Sequence, residues 1–555
     1  LITSHYRFWP EGVPHEVALP AQSVYANLRS SAQHFPDKTA VHYYGTALSY
    51  RRFLQDVDAL AGFLQAKAGV RRGDRVLLFM QNSPQFMVAF YAILRADAMV
   101  VPVNPMNLTE ELRHYVADSD ARVAITGQEL FAQIGPLLAE GLQHVVVAAY
   151  SDALAAPTDL KVPEVVQAPR QAISAPGVTL WADALAANLA PGPHLAGPDD
   201  LCVMPYTSGT TGKPKGCIHT HRSVMSTVVS GSIWTHMDDT AVILCSMPLF
   251  HVTGMQCSMN QPIYQGSTIV LLTRWDRDTA SAMIERHKVD GWTNISTMAI
   301  DFLSNPELGR YDISSIKHIG GGGAAMPEAV AQRLQDLTGL SYMEGYGLSE
   351  TMAPTHINPP QRCKKQCLGI PICDTDARVV NPDTLAELGP RETGEIVSHG
   401  PQVFSGYWKN PAATEACFIQ LDGKRFFRTG DLGYYDDEGY FFIVDRLKRM
   451  INASGYKVWP AEVETLLYRH PDIQEACIIG TRDERRGETV KAVVVLKEAS
   501  RGKAREEDIM EWARAHMAAY KVPRVVEFVE RLPKSATGKI QWRMLQEQEN
   551  RKTTV

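Results

Sequence analysis

No apolar run in these 555 residues approaches the length of a membrane-spanning helix, and the first residues lack the basic-then-apolar order of an export signal. A soluble, cytoplasmic protein without a membrane span is therefore expected. An excess of positive charge is also missing: 55 Lys and Arg stand against 61 Asp and Glu, for a net charge of -6, which argues against a nucleic-acid surface. The nine cysteines are odd in number and scattered, and no C-x-x-C pair occurs among them, so a disulfide framework is excluded and reduced thiols are expected. Their one cluster, Cys363, Cys367 and Cys373 with His356 nearby, reads as connecting loop and not as a zinc site. No internal repeat is found.

What is present is an ordinary globular composition, 45% apolar and 21% charged, in a chain too long for a single hydrophobic core. From Arg75 the pattern runs strand (to Met80), helix (Pro84 to Ala96), strand (Met99 to Val103), helix (Thr109 to Ser119), strand (Val123 to Thr126), a parallel βαβαβ unit with near-continuous apolar strands. Ser83 before Pro84, and Thr109 before Glu110 and Glu111, are the expected N-caps. The Pro/Ala/Gln-rich tract from Ala155 to Gly177 has neither period and reads as a surface connection. Beyond a basic border at Asp445 to Ile451, a second, smaller α/β unit is expected: helix Pro460 to His470, strands Glu475 to Ile479 and Thr489 to Leu496, helix Ala504 to Met517, strand Arg524 to Val529.

The stretch from Tyr206 to Gly216 is a phosphate loop. Gly209, Gly212 and Gly216 let backbone N–H groups approach an anion, Thr207, Ser208, Thr210 and Thr211 add hydroxyls, and Lys213 and Lys215 add charge. Pro214 stands where the ordinary P-loop has Ser or Thr, which disfavours a standard nucleoside triphosphatase. The stretch Ile319 to Ala325 ends a strand with four glycines in series, so something must approach its backbone closely.

These motifs resemble the adenylate-forming superfamily of acyl-CoA synthetases, luciferases and peptide-synthetase adenylation domains. The likeness extends through Pro248 to His251, Tyr342 to Thr351, Phe427 to Asp431, Asp445 to Ile451, Ser454 to Glu462 and Leu532 to Ile540, nearly the whole chain. It implies an α/β fold with a large N-terminal domain over residues 1–445, a hinge at 446–448 and a small mobile C-terminal lid over 449–555. It also implies ATP, Mg2+ and coenzyme A. By resemblance the nucleotide site comprises the phosphate loop from Thr207 to Lys213 with Lys215, then Gly322, Gly323, Ala324, Glu344, Gly345, Tyr346, Gly347, Thr351, Asp431, Arg446 and Lys539. Tyr346 would stack on adenine, Thr351 contact the α-phosphate, and Asp431 and Arg446 hold the ribose. Glu350 and Thr207 would hold the metal, a placement that agrees with the preference of magnesium for a carboxylate plus phosphate oxygens. Lys539 and His251 join Glu350 as the implied catalytic residues.

For coenzyme A the resemblance points to Lys448, the hinge residue, and to Gly455, Tyr456 and Lys457. The acyl pocket is expected to include His251, Trp292, Thr297, Met298, Phe302, Gly321 and Met352. The implied reaction is acid activation: a carboxylate attacks the α-phosphate of ATP to give acyl-adenylate and pyrophosphate, and CoA thiol then displaces AMP. The motif from Ser454 to Glu462 resembles the fatty-acyl version and favours a medium- or long-chain acid. An aryl acid, and a stand-alone adenylation enzyme loading a separate carrier protein, stay open, as does a homodimer.

Overall fold

The parallel unit expected after Arg75 is present in the computed structural model, which describes residues 2–207, 214–323, 326–446, Arg449, 451–453, 456–483, 487–535 and 538–552; the side chains of Arg446, Asn452, Tyr456 and Lys457 are not among those described. Strand Arg75–Phe79 pairs in parallel with Met99–Pro102 on one side and Val123–Gly127 on the other. Helix Pro84–Arg95 between them is buried along nearly its whole length, which explains why its apolar pattern has almost no polar face. Ser83 caps it, accepting from the Phe86 N–H at 3.1 Å. Helix Thr109–Ser119 starts differently from expectation. Its N-cap is Leu108, whose N–H bonds the Glu111 carboxylate at 2.8 Å, while the Thr109 hydroxyl donates to the Gln133 carbonyl at 2.9 Å. A tertiary partner within reach has taken the hydroxyl from the cap.

This unit belongs to a nine-stranded sheet that also contains the strands Tyr206–Thr207 and Lys215–Thr220 on either side of the phosphate loop. A second nine-stranded sheet carries, in spatial order, Val242–Cys245, Gly291–Asn294, His318–Gly322, Met343–Leu348 and Ala353–Ile357 towards one edge. One continuous apolar core joins the helices of both sheets. A five-stranded sheet follows, in which Lys424–Tyr435 pairs antiparallel with Phe441–Arg446 and sets Asp431 opposite Arg446. The small C-terminal domain has its own five-stranded sheet, built on the long pair Ile473–Asp483 and Gly487–Leu496, and its own core.

Helices Pro460–Leu467 and Glu506–His516 and strand Val525–Phe528 lie where the pattern put them. A final helix, Trp542–Lys552, was not foreseen because its residues are mostly polar. Side-chain bonds hold it down: Gln546 exchanges two hydrogen bonds with the Gly480 backbone, and Glu549 receives the Thr481 hydroxyl and the Lys491 ammonium at 2.6 Å each. The thiols of the expected loop at 363–373 each find a different carbonyl, those of Pro359, Phe441 and Pro14. Among the described residues no helix is long and apolar enough to cross a membrane.

Candidate active site

Two short legs carry the phosphate loop. Tyr206–Thr207 and Lys215–Thr220 pair antiparallel, Thr207 opposite Lys215, and helix Thr109–Ser119 anchors them. The Tyr206 hydroxyl donates to Asp118 at 2.6 Å and the His114 ring nitrogen Nε2 donates to the Pro214 carbonyl at 2.8 Å. The tip, Ser208, Gly209, Thr210, Thr211, Gly212 and Lys213, lies outside the described residues, as do Ala324, Lys448 and Gly455.

The leg that leaves the loop also fixes the turn bearing Glu350. His219 is fully buried and donates from Nε2 to the Ser349 carbonyl at 2.7 Å; burial holds its pKa down to about 4, so the ring is neutral near pH 7. Tyr407, paired with Cys217 on the neighbouring strand, donates to Glu350 Oε1 at 2.8 Å, and the Lys215 ammonium lies 4.5 Å from the centre of the Tyr407 ring. The Glu350 carboxylate is thus buried, oriented by a phenol and near a cation. Thr351 is fully buried with its hydroxyl engaged in its own turn, accepting from the Leu348 N–H and donating to the Ala353 carbonyl. Met352 and Ala353 follow with φ of 50° and 72°, a pair of left-handed residues that reverses the chain into the next strand.

Asp431 and Tyr346 meet: the phenol donates to Asp431 Oδ2 at 2.6 Å in a buried setting. Glu344 serves the backbone, its carboxylate accepting from the Met326 and Gln366 N–H groups at 3.3 and 2.9 Å; burial raises its pKa to about 8. It therefore ties Met326 to the loop at 359–366.

The glycine series answers the question of what approaches it. A Cβ on Gly320, Gly321 or Gly322 would overlap the carbonyl oxygen of Met343, Asn294 or Gly345 on the flanking strands. On Gly323, whose φ is +88°, it would stand 2.8 Å from Cε and 3.0 Å from Nζ of Lys539. The lysine comes from the small domain, on a turn closed by the Ser535 N–H to Lys539 carbonyl bond at 2.8 Å. Gly538 (φ +75°) lets this turn lie against Ile295 and Thr297. The Lys539 charge also acts on His251, whose pKa falls to about 3, through burial first and the neighbouring cation second. His251 Nδ1 accepts the Thr253 N–H at 3.3 Å. Lys539, Gly323 and His251 therefore converge.

From this point a cavity runs between helix His221–Thr235, the helical stretch from Val252 to Gln265, and the strands holding Trp292, Gly320 to Gly323 and Tyr346. Trp292 and Gly321 are among the residues that line it. Phe302 and Met352 are not in the lining; both are fully buried in the core, Phe302 with its ring centre 5.0 Å from that of Trp292. His251, Thr297 and Met298 also lie outside the lining, Thr297 at the Gly538 contact and Met298 against Ser246. The walls that sequence reasoning missed are Thr227, Gly231 and Thr235, one helical face at intervals of four, and Gln256, Cys257, Gln261 and Gln265 across from them. The small and polar i, i+4, i+8 pattern on an otherwise buried helix was the signal available.

For a magnesium ion the donor set fits. Among the described residues no group of three His, Cys, Asp or Glu could hold a metal alone, while a single buried carboxylate beside a phosphate loop suits an ion that takes phosphate oxygens and water for its other positions.

The AMP-binding enzyme family matches residues 28–408, and the AMP-binding enzyme C-terminal domain matches residues 462–539. The long-chain-fatty-acid–CoA ligase of Bacillus subtilis (strain 168) is 37% identical over 551 residues, 98% of this chain and 97% of that protein. The feruloyl-CoA synthase of Amycolatopsis sp is 34% identical over 91% of this chain and 94% of its own length. The crystal structure of the anthranilate CoA ligase AuaEII in complex with anthranoyl-AMP superposes with a TM-score of 0.85 at 25% identity, over 97% of this chain and 99% of that one. The chain belongs to the AMP-binding enzyme family.

Proposed function

We propose that the acid used by this protein is a medium- or long-chain fatty acid. The chain is an acid–CoA ligase of the AMP-binding family, with ATP and CoA as co-substrates. What supports the fatty-acid reading is the cavity lined by Gly323, which Lys539 approaches, and by residues of two helices, together with the likeness to a long-chain-fatty-acid–CoA ligase.

In this reading the acid enters with its carboxylate towards Lys539, Gly323 and His251. Lys539 supplies fixed positive charge where the carboxylate and α-phosphate repel each other, and does so without reorganisation because its turn is already seated on Ile295 and Thr297. Neutral His251 borders the same point without adding charge. The phosphate loop from Thr207 to Lys215 would take the leaving pyrophosphate, Tyr346 the adenine, and Asp431 with Arg446 the ribose; Thr351 would meet the α-phosphate. Glu350 and Thr207 would hold Mg2+, which when bound neutralises charge on the nucleotide phosphates. No protein nucleophile is needed. CoA would approach along Gly455, Tyr456 and Lys457 after the small domain swings at Lys448.

The test is CoA-thioester formation across saturated acids of rising length and benzoates. Each buried methylene is worth about 0.8 kcal/mol, so kcat/KM rises about fourfold per carbon until the cavity ends. A flat profile, or a benzoate as best substrate, refutes the fatty-acid reading.

A further inference from the structure

Three glutamines line the cavity, and the amides of two of them are hydrogen-bonded to neighbouring groups. Gln256 donates to the Val224 carbonyl at 2.9 Å and to the Thr227 hydroxyl at 2.6 Å, and accepts from Asn260 at 2.7 Å. Gln265 donates to the Met237 carbonyl at 2.9 Å, and its amide oxygen lies 3.3 Å from the Ser267 hydroxyl, whose proton goes to the Asp238 carbonyl at 2.8 Å. Gln261 is different. It is 9% exposed, and neither its amide oxygen nor its amide nitrogen has a hydrogen-bond partner among the described residues. Its Oε1 lies 2.8 Å from where a Cβ on Gly231 would be, so the glycine opens the space into which the amide points.

The two helices make a ladder with Gln261 part way down. Gln256 faces Thr227, Gln261 faces Gly231 one helical turn further on, and Thr253, Thr235, Met237 and Gln265 also line the cavity. Gln261 stands eight positions beyond Thr253 along this helical stretch. The stretch Gln256–Asn260 is a π-helix, a wide turn that resets which side chains face the cavity below it. A plain alkyl tail filling the space would strip water from the Gln261 amide and return nothing, whereas an oxygen substituent would satisfy it; sites with a buried amide discriminate sharply against analogues lacking the partner.

We infer that Gln261 is a specificity-determining residue and that the preferred acid carries a hydroxyl or carbonyl oxygen distant from its carboxylate. An amide both donates and accepts, so either oxygen type serves. The inference rests on the cavity being the acid site and deepens the fatty-acid reading to an oxygenated chain.

The experiment measures kcat/KM for thioester formation with saturated acids from hexanoate to dodecanoate, each paired with its ω-hydroxy analogue, and with cinnamate paired with 4-hydroxycinnamate. In the native enzyme at least one hydroxylated acid should exceed its matched partner by about tenfold or more. Gln261→Leu should reduce that ratio threefold or more, chiefly by improving the unsubstituted acid. Gln261→Met, unbranched and of similar length, repeats the test should the leucine variant fail to fold. A native enzyme that prefers the unsubstituted acid in every pair, or a ratio that changes less than threefold in a folded variant, overturns the inference. Activity confined to the cinnamates overturns the fatty-acid reading alone, because the within-pair ratio still reports on Gln261.

Discussion

Two sets of parallel strands in this molecule use the same backbone pairing for opposite ends. In Arg75–Phe79, Met99–Pro102 and Val123–Gly127 nearly every residue is buried by apolar side chains, and helix Pro84–Arg95 presses Phe86, Phe90 and Leu94 into the shared core. In His318–Gly322 and Met343–Leu348 the side chains are removed: Gly320, Gly321, Gly322, Gly345 and Gly347 leave strand against strand, and the space so freed becomes cavity and site. Side chains on a sheet supply cohesion; their absence supplies access, and the bare strands must borrow rigidity from neighbours. Glu344, tied to two backbone N–H groups, and the Tyr346–Asp431 bond supply it.

The sharpest way to break the comparison is to remove what the bare strand receives. Lys539→Ala should lower pyrophosphate release about a thousandfold, in line with the loss of one preorganised charge at a transition state, while thioester formation from supplied acyl-adenylate plus CoA stays within a few-fold of native. Equal damage to both half-reactions would mean that the lysine serves the fold or general binding.

In the filled strands the expected loss is of stability. Phe90→Ala deletes a fully buried ring and should cost about 3–5 kcal/mol in urea unfolding, with the activity of the remaining folded protein unchanged. A fall in kcat/KM without a fall in stability would show that the two regions are coupled after all.

A smaller effect concerns pH. Burial lowers the His219 pKa from 6.5 to about 4, so the folded protein favours the neutral ring. Its contribution to stability is complete above pH 6.5 and is lost as pH falls towards 4, at most about 1.4 kcal/mol per pH unit. Between pH 6.5 and 5.5 the native protein should therefore lose about 1 kcal/mol more than His219→Gln. Identical pH dependence in the two proteins would remove the buried neutral histidine from the account of how the Glu350 turn is held.

The sequence by itself determined the parallel unit after Arg75 and the small second domain, because each rests on local signals: strand and helix period and a cap beside a proline. It also foretold that something would approach the glycines after Ile319, since a strand without side chains has few other uses. Only the tertiary structure decided what does so. Lys539 lies more than two hundred residues from Gly323, and no local pattern records that distance. The same holds for His219 and Tyr407, which steady Glu350 from two other strands, and for Thr109, whose hydroxyl left its cap for Gln133. Phe302 and Met352 were sorted to the cavity by size and polarity, but which face of an element looks into empty space is set by what packs behind it. Gln261 was overlooked for the matching reason: a glutamine in sequence carries no mark of whether its amide will be satisfied, and that is fixed by neighbours brought together only when the chain folds.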